Sequence, residues 1–407
     1  MLVAPAKKIK QDPFGASIDP GKRVYQDWLC CCWHIGNSSR LHAGDDRQCK
    51  RWIGCGCSLA VVIDQVIIDG RAARRSETGG VERWAKELCR RLPELNSSHY
   101  SVADPGKAFS HRLGHLWEQT VLPAQAELQS SALLCPANLA PLAGRRNIVV
   151  LHDAAPLRFP NDFSKQYQRW QQFLLPRLAQ GALRVIVPSE FSRSEVIELC
   201  GADPANVDVA YGGVPVGYTP EVDPTPVLEL LGIEAPYVLT VASHVKRKNL
   251  TVLGRVAERL AEDGVQLVAV GGGRPQFGPS GVGTSSQVKL TGPLDESMLP
   301  SLYAGARAFV LPSVYEGFGL PVCEAMAAGT PVVCSDRAAL PEAAGGAAIL
   351  VNPDDVVQLE EAVLTATFNE SARSDLVQRG LSRVEPLTWD ATAKRIDEIC
   401  ADACGWF

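Results

Sequence analysis

The sequence predicts a two-domain α/β protein built on parallel sheets, and three observations carry that reading. At 407 residues the chain is long enough for two separate cores. Buried apolar runs alternate with helical patterns along most of it, the rhythm of parallel strands joined by crossover helices. Twice, at Leu59–Leu92 and again at 308–331, an apolar run enters a glycine turn and then a helix. A hydrophobic content of 46% and a charged content of 21% are ordinary for a globular chain. The net charge of -5 argues against a general nucleic-acid binder. No apolar run reaches the length of a membrane span, which leaves peripheral contact with a membrane open.

Residues 1–60 stand apart. They lack helical or strand periodicity, contain no glutamate, and set nine Lys and Arg against five Asp. Six of the thirteen cysteines lie here: Cys30, Cys31, Cys32, Cys49, Cys55 and Cys57. Their spacing matches no common zinc pattern, and the apolar core of a signal peptide is missing. A disordered extension, or a start site assigned too far upstream, is the expected reading. The other seven cysteines are scattered singly in apolar surroundings and read as reduced, buried thiols.

From there each element follows in order. Leu59 to Asp69 is a buried strand. It leads through Gly79 and Gly80 into a helix over Val81–Leu92, whose Val81, Trp84, Ala85, Leu88 and Leu92 share one face. The paired glycines read either as a plain tight turn or as a close approach to a phosphate. Residues 111–130 predict a helix interrupted at Pro123. Asn147–Leu151 is another buried strand. It delivers His152 and Asp153 at its C-terminal end, where open parallel sheets bind ligands. A helix over Phe163–Gln180 and a strand at Val185–Pro188 follow. Ser189 is placed to cap the next helix and Gly201 to end it. After a strand at Val207–Ala210, prolines 215, 220, 224 and 226 mark a linker.

The second half opens with a strand over Tyr237–Ala242 and then Lys246, Arg247 and Lys248. Three cations between a strand end and a helix are costly unless they stay solvated or meet an anion. Val265–Val270 ends in Gly271–Gly273, too irregular for a dinucleotide fingerprint. A loop over 274–286, a strand at Val288–Thr291 and a helix at Ser297–Gly305 follow. Strands at Pro331–Cys334 and Ala347–Val351 and three amphipathic helices complete the chain.

The stretch 308–331, AFVLPSVYEGFGLPVCEAMAAGTP, holds the most chemistry. Ala308–Leu311 is a strand, Gly317 and Gly319 loosen the loop, Pro321 suits a first helical turn, and Gly329 suits a helix end. Such a loop aims free N–H groups and a helix N-terminus at one spot, an anion site. Glu316 and Glu324 flank it. Carboxylates there make sense as acceptors from sugar hydroxyls on either side of a phosphate, the layout of a nucleotide sugar.

The spacing Glu316-x7-Glu324 around GFGLP resembles the retaining GT-B glycosyltransferases of the family-4 type. TGGVERW, HDAAPLRFP and the Arg247-Lys248-Asn249 turn resemble further segments of that family, in the expected order. The resemblance spans roughly residues 62–400. It implies two Rossmann-like doubly wound domains facing across a cleft. The expected organisation is an extension over 1–60, an acceptor-side domain over 61–220, a linker over 221–235, a nucleotide-sugar domain over 236–386, and a closing helix over 387–407 that crosses back. Carried onto this chain, the resemblance gives catalytic roles to His152, Lys248 and Glu316. Substrate contacts fall to Gly79, Gly80, Arg247, Pro293, Leu294, Gly317, Phe318, Gly319, Leu320 and Glu324. Lys248 and Arg247 would meet the diphosphate, Glu316 the donor sugar, Glu324 the ribose, and Gly292-Pro293-Leu294 the base. Ser243 stands where many members have arginine. The implied reaction is a metal-independent, retaining hexosyl transfer with no cofactor besides the donor. GDP-mannose is favoured over UDP sugars, with a glycan or lipid-linked acceptor and a cytoplasmic location. An inactive partner subunit, a sugar phosphorylase and a nucleotide-sugar epimerase stay open as alternatives.

Overall fold

The computed structural model describes residues 63–75, 79–106, 114–144, 146–273 and 285–406. The expectations for residues 1–60 and for the loop over 274–284 therefore lie outside the described residues.

Among the described residues two six-stranded sheets form, every strand parallel to its neighbours. The first holds β1 (Val66–Asp69), β2 (Tyr100–Ala103), β3 (Ala132–Cys135), β4 (Asn147–Val150), β5 (Arg184–Val187) and β6 (Val207–Val209), in the order β2-β1-β3-β4-β5-β6. The second holds β7 (Tyr237–Val241), β8 (Gln266–Val270), β9 (Val288–Gly292), β10 (Ala308–Leu311), β11 (Val332–Ser335) and β12 (Ile349–Val351), in the order β12-β11-β10-β7-β8-β9. Both are open doubly wound sheets, as the fold class predicts.

Their strands are short and apolar because both faces are covered. Successive residues point to opposite faces. Ile67 enters one core with Leu133, Val149 and Leu174, while Val66 and Ile68 enter another with Trp84, Leu88 and Ile148. The second sheet divides likewise: Leu239, Phe309 and Leu311 pack with Val322 and Met326, and Val238 and Val310 pack with Val256 and Leu359. The C-terminal helix, Trp389–Cys404, belongs to the first sheet's core through Trp389, Ala393, Ile396 and Ile399. Trp389 meets Trp84 edge-on at 5.5 Å. Thr388 caps this helix by accepting from Ala391 N–H, and Val214 pairs with Thr388 where the chain leaves the first domain.

Three expectations need correction. Pro123 does not interrupt its helix, which runs continuously over Gly114–Leu128. The proline removes one donor, but Leu122 and Ala126 on the same helix are buried and hold its line. The proline-rich linker contains a short helix, Thr225–Leu231, ended by Gly232 in the left-handed region. The cationic turn Lys246–Lys248 is itself a 3-10 turn, and the α-helix behind it starts only at Leu253. Among the described residues no helix is long and apolar enough to cross a membrane.

Candidate active site

A cleft of about 710 Å³ opens between the C-terminal ends of the two sheets. In the second sheet it lies where β7 and β10 are neighbours. The loops leaving those two strands lead to opposite sides of the sheet, and this switch point is where doubly wound sheets bind ligands. The cleft is lined by Gly79, Gly80, His152, Lys248, Pro293, Leu294, Glu316, Gly317, Phe318, Gly319, Leu320 and Glu324. The structure thus brings together twelve of the thirteen residues singled out from sequence.

Arg247 is the exception. In a 3-10 turn adjacent side chains diverge by about 120°. Lys248 faces the cleft, and Arg247 points to the first domain. There its guanidinium lies 3.7 Å from the Asp162 carboxylate and over the Phe163 ring, and its backbone N–H donates to Asp162. Arg247 helps join the two domains and does not line the cleft.

Lys248 donates through Nζ to both oxygens of Glu316 at 2.6 Å. Asn249 sets this turn, adopting φ +55° and donating from its side chain to the Pro353 carbonyl. The Lys–Glu pair sits at the mouth of the glycine loop with a few per cent more than a tenth of each side chain exposed.

The loop owes its shape to the first domain. The Gly317 carbonyl accepts from Ser189 Oγ at 2.6 Å and Ser192 Oγ at 2.8 Å. Both serines are fully buried, and Ser189 also caps its own helix by accepting from Ser192 N–H. Since a trans peptide sets C=O and N–H on opposite sides, holding the Gly317 carbonyl there turns the Phe318 N–H away from the serines. A Cβ on Gly317 would overlap the His152 carbonyl oxygen, so glycine permits the approach. Gly319 adopts φ +112° and starts the Leu320–Ala327 helix. The Phe318 ring stacks on Tyr211 of the first domain, which anchors the loop from the far side. A Cβ on Gly80 would lie 3.8 Å from Leu320, so the paired glycines also sit where the domains come together. The Gly79 N–H is already taken by Glu82 Oε2 at 3.1 Å, a capping contact that closes the turn.

His152 lies just beyond the C-terminal end of β4, its ring edge-on to Trp84 at 5.4 Å. Its Nε2 lies 2.8 Å from the Pro136 carbonyl, and since a carbonyl only accepts, Nε2 carries the proton. Nδ1 is then the acceptor of the neutral ring. Burial lowers the imidazole pKa below its ordinary value, against the raising effect of the Pro136 contact, and favours that neutral form.

Glu324 is buried and engaged through both oxygens: Oε2 accepts from Tyr303 Oη at 2.9 Å, and Oε1 pairs with Arg83. Arg83 also donates through Nε to Glu296 at 2.6 Å. Arg83, Glu296 and Tyr303 were not singled out from sequence. Arg83 sits inside TGGVERW, beside core-facing Trp84, but its partners are 213 and 241 residues away. Nothing local announces such a contact.

Two doubly wound halves closing over a cation, paired carboxylates and a glycine loop define a GT-B glycosyltransferase. Family models agree: "Glycosyltransferase Family 4" matches residues 127–218 and "Glycosyl transferases group 1" matches residues 235–368. Together they cover more than half of the chain, which belongs to the family-4 type of GT-B glycosyltransferases. It is 29% identical over 265 residues to the O-antigen chain mannosyltransferase B of Escherichia coli, covering 60% of this chain and 67% of that one. It is 31% identical over 239 residues to the MMP alpha-(1->4)-mannosyltransferase of Mycolicibacterium hassiacum, covering 56% of each. The matches thus span about half to two thirds of these relatives' length. The sucrose-phosphate synthase of Thermosynechococcus elongatus shares the fold with a TM-score of 0.64 at 20% identity, over 84% of this chain and all of that one.

Proposed function

We propose that this glycosyltransferase moves a hexose, mannose in preference, from a nucleotide diphosphate sugar to a glycan or lipid-linked acceptor with retention of configuration. The observation that carries the reading is Lys248 paired with Glu316 at the mouth of the Gly317–Gly319 loop. The diphosphate of a donor supplies the anion that Lys248 and the loop N–H groups suit, and Glu316 is then freed to accept from sugar hydroxyls. As the glycosidic bond breaks, charge grows on the leaving diphosphate. Preorganised donors there lower the barrier more than donors in water would, because they need no reorganisation. His152 accepts from a donor hydroxyl near the reacting carbon. Pro293 and Leu294 border the base, and Glu324 takes the ribose. The departing diphosphate itself takes the acceptor proton in a front-face displacement, and no metal ion is required. The similarity to two mannosyltransferases favours GDP-mannose over UDP sugars, and the O-antigen relative favours cell-surface polysaccharide synthesis.

We place the enzyme in the cytoplasm, in peripheral contact with the membrane that carries a lipid-linked acceptor. The Lys165–Gly181 helix supports this: it exposes Trp170 and Phe173, stacked at 6.0 Å, beside Lys165, Arg169 and Arg177, and has no acidic residue.

A thermal-shift screen of nucleotide sugars tests the donor. GDP-mannose at ~100-fold its dissociation constant adds about 2.7 kcal/mol of stability and raises the melting temperature, and UDP-glucose does less. A larger shift with UDP-glucose refutes the donor assignment. Transfer that disappears on adding a chelator, and returns with a divalent ion, refutes metal independence.

A further inference from the structure

We propose that Arg83 is a positioning residue that competes with the donor ribose for Glu324. This rests on the nucleotide-sugar reading of the same cleft.

Glu324 is 3% exposed and both its oxygens are engaged, Oε2 by Tyr303 and Oε1 by Arg83. Tyr303 is fully buried and comes from the same domain, so its bond belongs to the core. The Arg83 bond is different in kind. It crosses the cleft from the helix that follows Gly79 and Gly80, and both Arg83 and Glu324 line the cleft itself. The ribose diol, a neutral double donor, therefore meets a Glu324 whose cleft-side oxygen is already paired with a guanidinium.

Glu296 makes the exchange feasible. Its carboxylate is about a third exposed and is held by Nε and Nη2 of Arg83 at 2.6 and 2.5 Å. When ribose takes Glu324, Arg83 keeps Glu296 and its charge is not stranded in a buried site, which would be prohibitive. The guanidinium fork is what allows this: two carboxylates are bridged through separate nitrogens, and one is released without the other. Lysine offers a single point charge.

The consequence is a Glu324 reserved by the enzyme itself. Affinity for nucleotide is lowered in proportion to how rarely Glu324 is free. In return the carboxylate is never unpaired in the empty cleft, and a contact between the domains is kept until a donor replaces it.

The test measures dissociation constants of GDP and of 2′,3′-dideoxy-GDP for wild type, Arg83→Gln and Arg83→Lys by calorimetry, with melting curves as a folding control. Competition predicts that Arg83→Gln binds GDP about threefold to tenfold more tightly than wild type. The penalty for removing the two hydroxyls grows by a similar factor in the variant, because in wild type Arg83 returns to Glu324 when the diol is missing. Arg83→Lys falls between the two, and it decides the matter if the glutamine variant does not fold. Weaker GDP binding by the folded variants would make Arg83 a direct ligand and overturn the proposal. Unchanged binding with an unchanged hydroxyl penalty would leave only a structural contact and overturn it too. Absence of GDP and UDP binding in wild type would refute the nucleotide-sugar reading, and the proposal with it.

Discussion

Lys248 donates to both carboxylate oxygens of Glu316 at 2.6 Å, so each holds the other in place. On the function proposed above, a donor divides them, diphosphate to one and sugar to the other. Lys248→Ala and Glu316→Ala are each expected to lower kcat/KM about 10²-fold or more, the scale for losing a preorganised charge contact, with far-ultraviolet circular dichroism unchanged. Turnover near wild type in either variant would refute the assignment. His152 offers a pH signature. Its folded pKa is depressed by burial, so the folded protein resists protonating it while the unfolded chain accepts the proton. The stability it contributes is complete above the unfolded value of about 6.5 and is lost as pH falls below that. Melting temperatures from pH 7.5 to 5 should fall less steeply for His152→Gln than for wild type. The acid limb of the kcat/KM profile should lie below about 6.5 and should shift or flatten in that variant.

At the scale of elements, the helix that begins at Glu190 does two jobs with one turn. Its capping Ser189 and first-turn Ser192 satisfy their own helix and also hold the Gly317 carbonyl of the other domain. Replacing both by alanine leaves that carbonyl buried without its donors, at about 1–3 kcal/mol, and lets the loop peptide rotate. The double variant should lose kcat more than it raises KM, since the loop N–H groups are needed most when charge develops on the leaving group. Unchanged kcat in a folded double variant would refute this role. The Lys165–Gly181 helix carries a separate expectation. Trp170→Ser with Phe173→Ser should reduce co-sedimentation with vesicles containing anionic lipid, while transfer to a soluble acceptor is kept. Equal sedimentation of variant and wild type would remove this helix as the membrane face.

On the scale of the whole molecule, the two halves that form the cleft are joined by contacts between residues far apart in the chain. Arg83 reaches Glu324, Asp162 reaches Arg247, Tyr315 Oη receives the Ala154 N–H, and Glu342 accepts from Glu190 and Phe191 N–H groups. The C-terminal helix adds a path from the chain's end to the site: Trp389 touches Trp84, and Trp84 touches His152. The geometry of the cleft therefore depends on how the two sheets sit together as well as on either alone.

The sequence by itself determined most of the strands and helices and the glycine loop of the cleft, but not β2, the unbroken helix through Pro123 or the helix inside the linker. A buried strand declares itself by a run such as AFVL, a helix by spacing such as Trp84–Leu88–Leu92, and an anion loop by glycines before a proline-initiated helix. Those signals are local, and β10 and the Ser189-to-Gly201 helix lie where they indicate. Tertiary structure alone decided which way the side chains of the cationic turn face, how His152 is protonated, and what occupies Glu324. Arg247 and Lys248 are neighbours of like charge in the sequence. They part because Asp162 waits on one side and Glu316 on the other. Arg83 reads locally as one more charge on an amphipathic helix and becomes part of the site only because the second domain brings two carboxylates to it. Periodicity and turn chemistry are written over a few residues, whereas charge pairing across a cleft depends on distances that exist only once both domains have folded.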